Sequence, residues 1–324
     1  MKKARLAIIG CGNFAENIHL PALRAIKQKY NNFELVAVCD LDIKKAEYFA
    51  STWPNCHCYD NVTQMTSSER LDGIMLYTGE NATCAVAKQV LSAKIPCMLE
   101  KPPGKTAAET KAIIAEMDSS GVFALAAFNR RYAPVMMKAK ALWDERTGDR
   151  IDFVGCDFYR HNRINEDFST CIIHGIDAVS FLAGSLYLET ALQYQGTSEY
   201  TNIFIKGVHH NGAASQINCL PATGMQIEHY IIASKNFAMR IFFNGGRHET
   251  GIIFYSHGKE MDRIDMRSIS DSELLVEGGF IEENLNFIET LLHIRPINLK
   301  SMNDSLNAVE ISEAIRLHKS VVLL

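Results

Sequence analysis

Leu6-Ala7-Ile8-Ile9-Gly10-Cys11-Gly12-Asn13-Phe14-Ala15 decides how this chain folds. The four apolar residues read as a short buried strand. A G-x-G-x-x-A pattern follows at once, ahead of a helix-forming stretch over about residues 16–29. In that context Gly10 permits the tight turn, Gly12 lets the backbone approach a pyrophosphate, and Ala15 keeps the helix close to the strand. Asn13 and Phe14 complete the loop. The phosphates would meet free N–H groups at a helix N-terminus, where the dipole favours negative charge.

Further strands strengthen this reading. Residues 34–39 form a second apolar run that ends in Asp40. An acid at that point accepts hydrogen bonds from ribose hydroxyls and repels a 2′-phosphate. Leu41-Asp42-Ile43 supplies no Arg or Lys to reverse that preference, so the expected cofactor is NAD in preference to NADP. Cys97-Met98-Leu99 is a third apolar run, closed by Glu100-Lys101-Pro102. Proline has no N–H for the ladder, so the strand stops there and leaves an amine at its end. Ligands of open parallel sheets bind at such ends.

Strands near 5–9, 34–39, 73–77, 96–100 and 122–127 alternate with helical segments, one of them opened by the capping box Thr106-Ala107-Ala108-Glu109 and stopped by Gly121. The pattern predicts the α/β class, with a doubly wound parallel Rossmann domain over residues 1–125. Residues 126–324 read as an α+β domain. Strands at 214–220, 225–233, 237–243 and 251–256 show period-two patterning, and helical stretches follow at 280–293 and 303–319. Met225, Ile227 and Ile231 alternate with Gln226, Glu228 and Tyr230, the mark of a mostly antiparallel sheet with two different faces. Apolar residues on that sheet, with Tyr230 and Phe242 expected to face outward, predict a homodimer or homotetramer formed through it.

A chain of 324 residues with 47% hydrophobic and 22% charged residues suits two ordinary globular domains. Its net charge of −4 provides no basic field for nucleic acid or an anionic membrane. No apolar run is long enough to span a bilayer. The nine scattered cysteines fit reduced thiols in a cytoplasm. Cys56-His57-Cys58 lacks a second ligand pair at zinc spacing, so no metal site is expected, and His209-His210 reads as a solvated turn before Asn211-Gly212.

Taken together, these residues resemble the Gfo/Idh/MocA oxidoreductases over essentially the whole chain. The resemblance rests on the glycine loop, Asp40, Glu100-Lys101-Pro102, Phe128-Asn129-Arg130-Arg131-Tyr132-Ala133-Pro134 and His174-Gly175-Ile176-Asp177. The run from Phe128 is most similar to the MviM-like subgroup, often described as virulence factors. The resemblance implies a Rossmann domain, a second domain with a large open antiparallel sheet, and a cleft between them. It also implies cofactor contacts from Thr78-Gly79 (where the family has Thr-Pro), Glu100, Lys101 and Asn129. Lys101 and His174 match the family pair that flanks a carbinol carbon. His174 would accept the hydroxyl proton, and Lys101 would stabilise the developing alkoxide.

Two departures stand out. Thr170 and Ile172 occupy the Asp and Gly positions of the family's Asp-x-Gly-x-His, which leaves Asp167 as the nearest upstream carboxylate. Arg130, Arg131, Tyr132, Arg160, His161 and Arg163 form a basic, aromatic set suited to sugar hydroxyls or an acidic group. The expected activity is hydride transfer between nicotinamide and a sugar, inositol or related polyol. The alternatives are an NAD-dependent glycosidase and a dinucleotide-binding sensor that has lost turnover.

Overall fold

The computed structural model describes residues 2–146, 150–164, 167–197, 199–243, 249–267, 273–298 and 300–324. The chain divides into one unit of Met1–Phe128 with Phe280–Val309, and another of Asn129–Gly279 with Glu310–Leu324.

In the first unit β1 (Ala4–Ile9), β2 (Phe33–Cys39), β3 (His57–Tyr59), β4 (Gly73–Leu76), β5 (Cys97–Glu100) and β6 (Ala124–Ala127) alternate with α1 (Leu20–Tyr30), α2 (Ile43–Ser51), α3 (Val62–Ser68), α4 (Glu80–Ser92) and α5 (Ala107–Ser120). The six strands form one parallel sheet in the order β3-β2-β1-β4-β5-β6. Leu6, Ile8, Leu35, Val38, Met75 and Met98 are buried, because helices cover both faces of such a sheet. The order reverses between β1 and β4, which opens the crevice where ligands bind in these folds. Thr106 caps α5 by accepting the Glu109 N–H, and Gly121 ends it in the left-handed conformation, as the capping box predicts. The expected boundary at 125/126 falls within β6.

The second unit begins with a 3₁₀ turn (Asn129–Tyr132) and contains α6 (Pro134–Arg146), β7 (Phe153–Tyr159), α7 (Ser169–Ala183), β8 (Tyr187–Gly196), β9 (Thr201–His209), β10 (Ala214–Leu220), β11 (Ile227–Ala233), β12 (Phe237–Phe243), β13 (Gly251–Ser256), β14 (Lys259–Asp265) and α8 (Glu273–Glu277). With β15 (Val321–Leu323) they make a mixed sheet in the order β14-β13-β12-β11-β7-β10-β9-β8-β15. Within this second sheet only β7 and β10 pair in parallel among the described residues. Gly175 lets α7 lie close to the sheet, since a Cβ there would stand 3.0 Å from the Phe158 ring.

Two sequence expectations need correction here. Tyr230 does not face outward: it is 2% exposed and its hydroxyl donates to Glu228 Oε1 at 2.6 Å. β11 buries Glu228, Tyr230 and Ile232 opposite Phe243, Ile241 and Met239 of β12, while Ile227, His229, Ile231 and Phe242 take the other face. The polar members are inside because two arginines balance Glu228. His209 is not a solvated turn residue either. It ends β9 at 1% exposure, with Nδ1 2.9 Å from Ser185 O and Nε2 3.0 Å from Ser215 Oγ.

After Gly279 the chain returns to the first unit. There α9 (Phe280–Leu291) adds Leu285, Phe287, Ile288 and Leu291 to the core. Gly73 admits this helix, because a Cβ there would sit 2.5 Å from Leu291 Cδ1. The last helix, α10 (Lys300–Arg316), follows. No helix among the described residues is long and apolar enough to cross a membrane.

Candidate functional site

The glycine loop, Asp40, Thr78-Gly79 and Glu100-Lys101 all emerge from the C-terminal ends of parallel strands in the first unit. Backbone hydrogen bonds hold the first three together: Gly10 N–H donates to Cys39 O, and Tyr77 N–H donates to Ile9 O, both at 2.8 Å. Asp40 fixes the loop directly. Its Oδ2 accepts the Cys11 N–H at 2.7 Å and its Oδ1 accepts the Asp42 N–H at 2.9 Å.

The two loop glycines serve different purposes. Gly10 has φ +96, and a Cβ there would lie 2.6 Å from Tyr77 O, so the turn admits no side chain. A Cβ on Gly12 would meet nothing within 4 Å, and the same holds for Gly79 at the start of α4. Open room beside bare backbone at both turns, with a carboxylate at the end of β2, fits a dinucleotide. Phe14 is 42% exposed beside this room, Ala15 is buried under the turn, and the exposed Asn13 accepts the Asn17 side-chain N–H through its carbonyl. Thr78 Oγ1 shares a hydrogen bond with Thr83 Oγ1 at 3.0 Å.

The helix after the loop is not regular α-helix at first. Ala15–His19 form a π turn, and α1 starts at Leu20 with Pro21 in its first turn. Proline cannot donate to the carbonyl four residues back, and the widened turn absorbs that loss. The turn delivers His19, wholly buried, with Nε2 3.3 Å from Glu100 Oε1. Glu100 Oε2 accepts the Lys101 N–H at 3.1 Å. The sequence reading did not single out His19. The signal was a histidine on the apolar stripe of Ala15, Leu23 and Ile26, directly behind the glycine loop.

His174 lies in the second unit on α7, 9% exposed. Asp177, one turn on and 1% exposed, takes the forked guanidinium of Arg131, whose Nε stands 2.8 and 3.0 Å from its two oxygens. Thr170 is half-buried in the first turn of α7, and its hydroxyl donates to Asp167 O at 2.8 Å. Asp167 precedes the helix, where its Oδ1 accepts the Ser169 N–H and the Ser169 hydroxyl.

The basic set does not form one recognition surface. Arg130 and Arg160 both pair with buried Glu228, at 3.1 and 2.5 Å. Burial alone would raise the Glu228 carboxyl, but the two guanidiniums outweigh it and hold it at about 2. Arg131 is committed to Asp177, Tyr132 is half-buried, and His161 and Arg163 are exposed. Asn129 is buried, donates to Gly278 O at 2.7 Å and accepts from Arg130 Nη1 at 3.1 Å. In the first unit, His57 pairs with Glu69.

Strand order, glycine turn and acidic strand end define a dinucleotide-binding Rossmann protein. Residues 4–128 match the Gfo/Idh/MocA oxidoreductase family, described by its NAD-binding Rossmann fold. The D-apiose dehydrogenase of Paraburkholderia graminis is 26% identical over 236 residues, which cover 68% of this chain and 61% of that protein. The match therefore spans under two thirds of that relative's length. An oxidoreductase from Agrobacterium radiobacter, solved with NAD+, L-tartaric acid and magnesium, shares the fold at a TM-score of 0.81 and 16% identity, over 99% of this chain and 98% of that one. The dehydrogenase MviM from Clostridium difficile does so at 0.80 and 18% identity, over 98% and 100%.

Proposed function

We propose that this protein is an NAD-dependent dehydrogenase acting on a CH–OH group of a sugar, inositol or related polyol. The observation that carries the reading is the gathering of four strand-end segments on one edge of the parallel sheet: the Gly10–Gly12 turn, Asp40, Thr78-Gly79 and Glu100-Lys101. NAD, when bound, supplies the hydride acceptor. The chain's own residues do the rest. Backbone N–H groups at the glycine turn bind the pyrophosphate, and Asp40 takes the ribose hydroxyls on the lone pairs left beside its two N–H bonds. Lys101 donates to the substrate oxygen as negative charge grows on it. His174, assigned by its match to the family motif, accepts the hydroxyl proton, a task suited to an imidazole near neutral pH.

The sugar or polyol class is supported by the D-apiose dehydrogenase relative. The outward face of the second sheet, with Ile227, Ile231 and Phe242, supports a homodimer or homotetramer. Nine free thiols suit a reducing cytoplasm. Titration with NADH and NADPH, followed by nicotinamide fluorescence, tests the cofactor assignment. NADH should bind at least about tenfold tighter, roughly 1.4 kcal/mol, and Asp40→Ser should narrow that ratio while weakening NADH. Equal affinity of the unmodified protein for both would overturn it.

A further inference from the structure

We infer that His19 is a positioning residue for Lys101, acting through Glu100, and that it ties this lysine to the dinucleotide turn. The inference rests on the role proposed above for Lys101.

The hydrogen bonds around His19 select one tautomer. Asn284 Nδ2 donates to Phe280 O at 2.7 Å, and its Oδ1 accepts from the Tyr77 hydroxyl at 3.1 Å. His19 Nδ1 stands 3.1 Å from Asn284 Nδ2 and 3.2 Å from its Oδ1, so Asn284 can meet this ring nitrogen with either atom, and the choice is made at the other nitrogen. Nε2 faces Glu100 Oε1 at 3.3 Å, and because a carboxylate only accepts, Nε2 carries a proton and donates it there. With Oε2 holding the Lys101 N–H, both oxygens of the carboxylate are fixed.

The ring is also clamped by its neighbours. It stacks on Tyr77 at 3.9 Å and 18°, with Phe14 and Phe280 edge-on at 5.2 and 6.0 Å. His19 thus touches Phe14 of the glycine loop, Tyr77 just before Thr78, and Glu100 just before Lys101. An apolar side chain would fill this space without the cost of burying a polar ring beside a carboxylate. What histidine adds is a directed N–H that holds the acid at the base of the lysine.

Three substitutions separate that bond from packing. His19→Gln retains an N–H at the height of Nε2. His19→Asn keeps a polar group only at the Nδ1 side, and His19→Phe keeps the stack alone. The probe is the rate at which trinitrobenzenesulfonate labels Lys101, read by peptide mass spectrometry in the free protein and with NADH. His19→Asn and His19→Phe should each change the free-protein rate on the order of fivefold, the scale of coupling between contacting groups. They should also blunt protection by NADH. His19→Gln should stay within about twofold of the unmodified protein. Glu100→Gln should reproduce the His19→Asn effect, and the double variant should add little. Unchanged labelling in Asn and Phe, or a Gln variant no better than Phe, would overturn the inference. Failure of NADH to bind or protect the unmodified protein would instead strike the proposed function, leaving the free-protein rates to decide on His19.

Discussion

Glu228→Gln perturbs the second unit where its charges are most tightly balanced. The carboxyl sits at 3% exposure with Arg130, Arg160 and the Tyr230 hydroxyl on it. Its pKa of about 2 against an ordinary 4.5 corresponds to about 3 kcal/mol of stability at neutral pH. Removing one partner of a buried pair costs about 3–5 kcal/mol, the same range, because glutamine leaves two guanidiniums without their countercharge. A loss of about 3 kcal/mol should lower the melting temperature by roughly 6–12 °C for a unit of this size. The sign with pH follows from the depressed folded-state value. The carboxylate's contribution is fully present above about pH 4.5 and is lost as pH falls toward about 2. The gap between variant and unmodified protein should therefore close on acidification. The assay is urea unfolding followed by Trp143 fluorescence in a Trp53→Phe background. The chain has two tryptophans, one in each unit, so this isolates the second unit. A loss under about 0.5 kcal/mol at neutral pH, or a gap that widens in acid, would refute the reasoning.

Gly12→Val should leave the melting temperature nearly unchanged but reduce NADH affinity by about a hundredfold or more, roughly 3 kcal/mol, because it fills open space at the turn. Gly10→Ala should instead destabilise the first unit by about 1–3 kcal/mol through its positive φ and its collision with Tyr77 O, measurable by calorimetry. Thr170→Asp places an acid in the first turn of α7 at a half-buried position, so its stability cost should stay under about 1 kcal/mol. On a substrate found by screening, that variant should show an altered pH profile of turnover, whereas an unfolded variant would contradict this account of α7.

Much of the first unit was legible because its signals are local. A glycine turn between strand and helix, an acid at a strand end and a proline stopping a strand each depend on a few neighbouring residues. The second unit was less so. β8, β9 and β14 carry mixed patterns, and the partners of β7 lie far along the chain, as in the parallel pairing of Ile217 with Cys156. The inward turn of Tyr230 goes with Glu228, whose partners Arg130 and Arg160 lie far back in the chain, so alternation alone assigned the wrong face. For the same reason the arginines read as a ligand surface until Glu228 and Asp177 were seen opposite them. His19 stayed hidden because its partners, Glu100 and Asn284, come from other elements. The assignment of 280–309 to the first unit is again a packing fact, decided by Leu285, Phe287 and Ile288 in its core.

The central claim is hydride transfer from a CH–OH group assisted by Lys101. Its most direct measurement is absorbance at about 340 nm, the band of reduced nicotinamide, with NAD+ across a panel of aldoses, inositols and other polyols. The account predicts NADH formation with at least one member, slowed by about a hundredfold or more in Lys101→Ala while NADH still binds. Formation at an equal rate in Lys101→Ala, or none across the panel from a protein that binds NAD+, would contradict it.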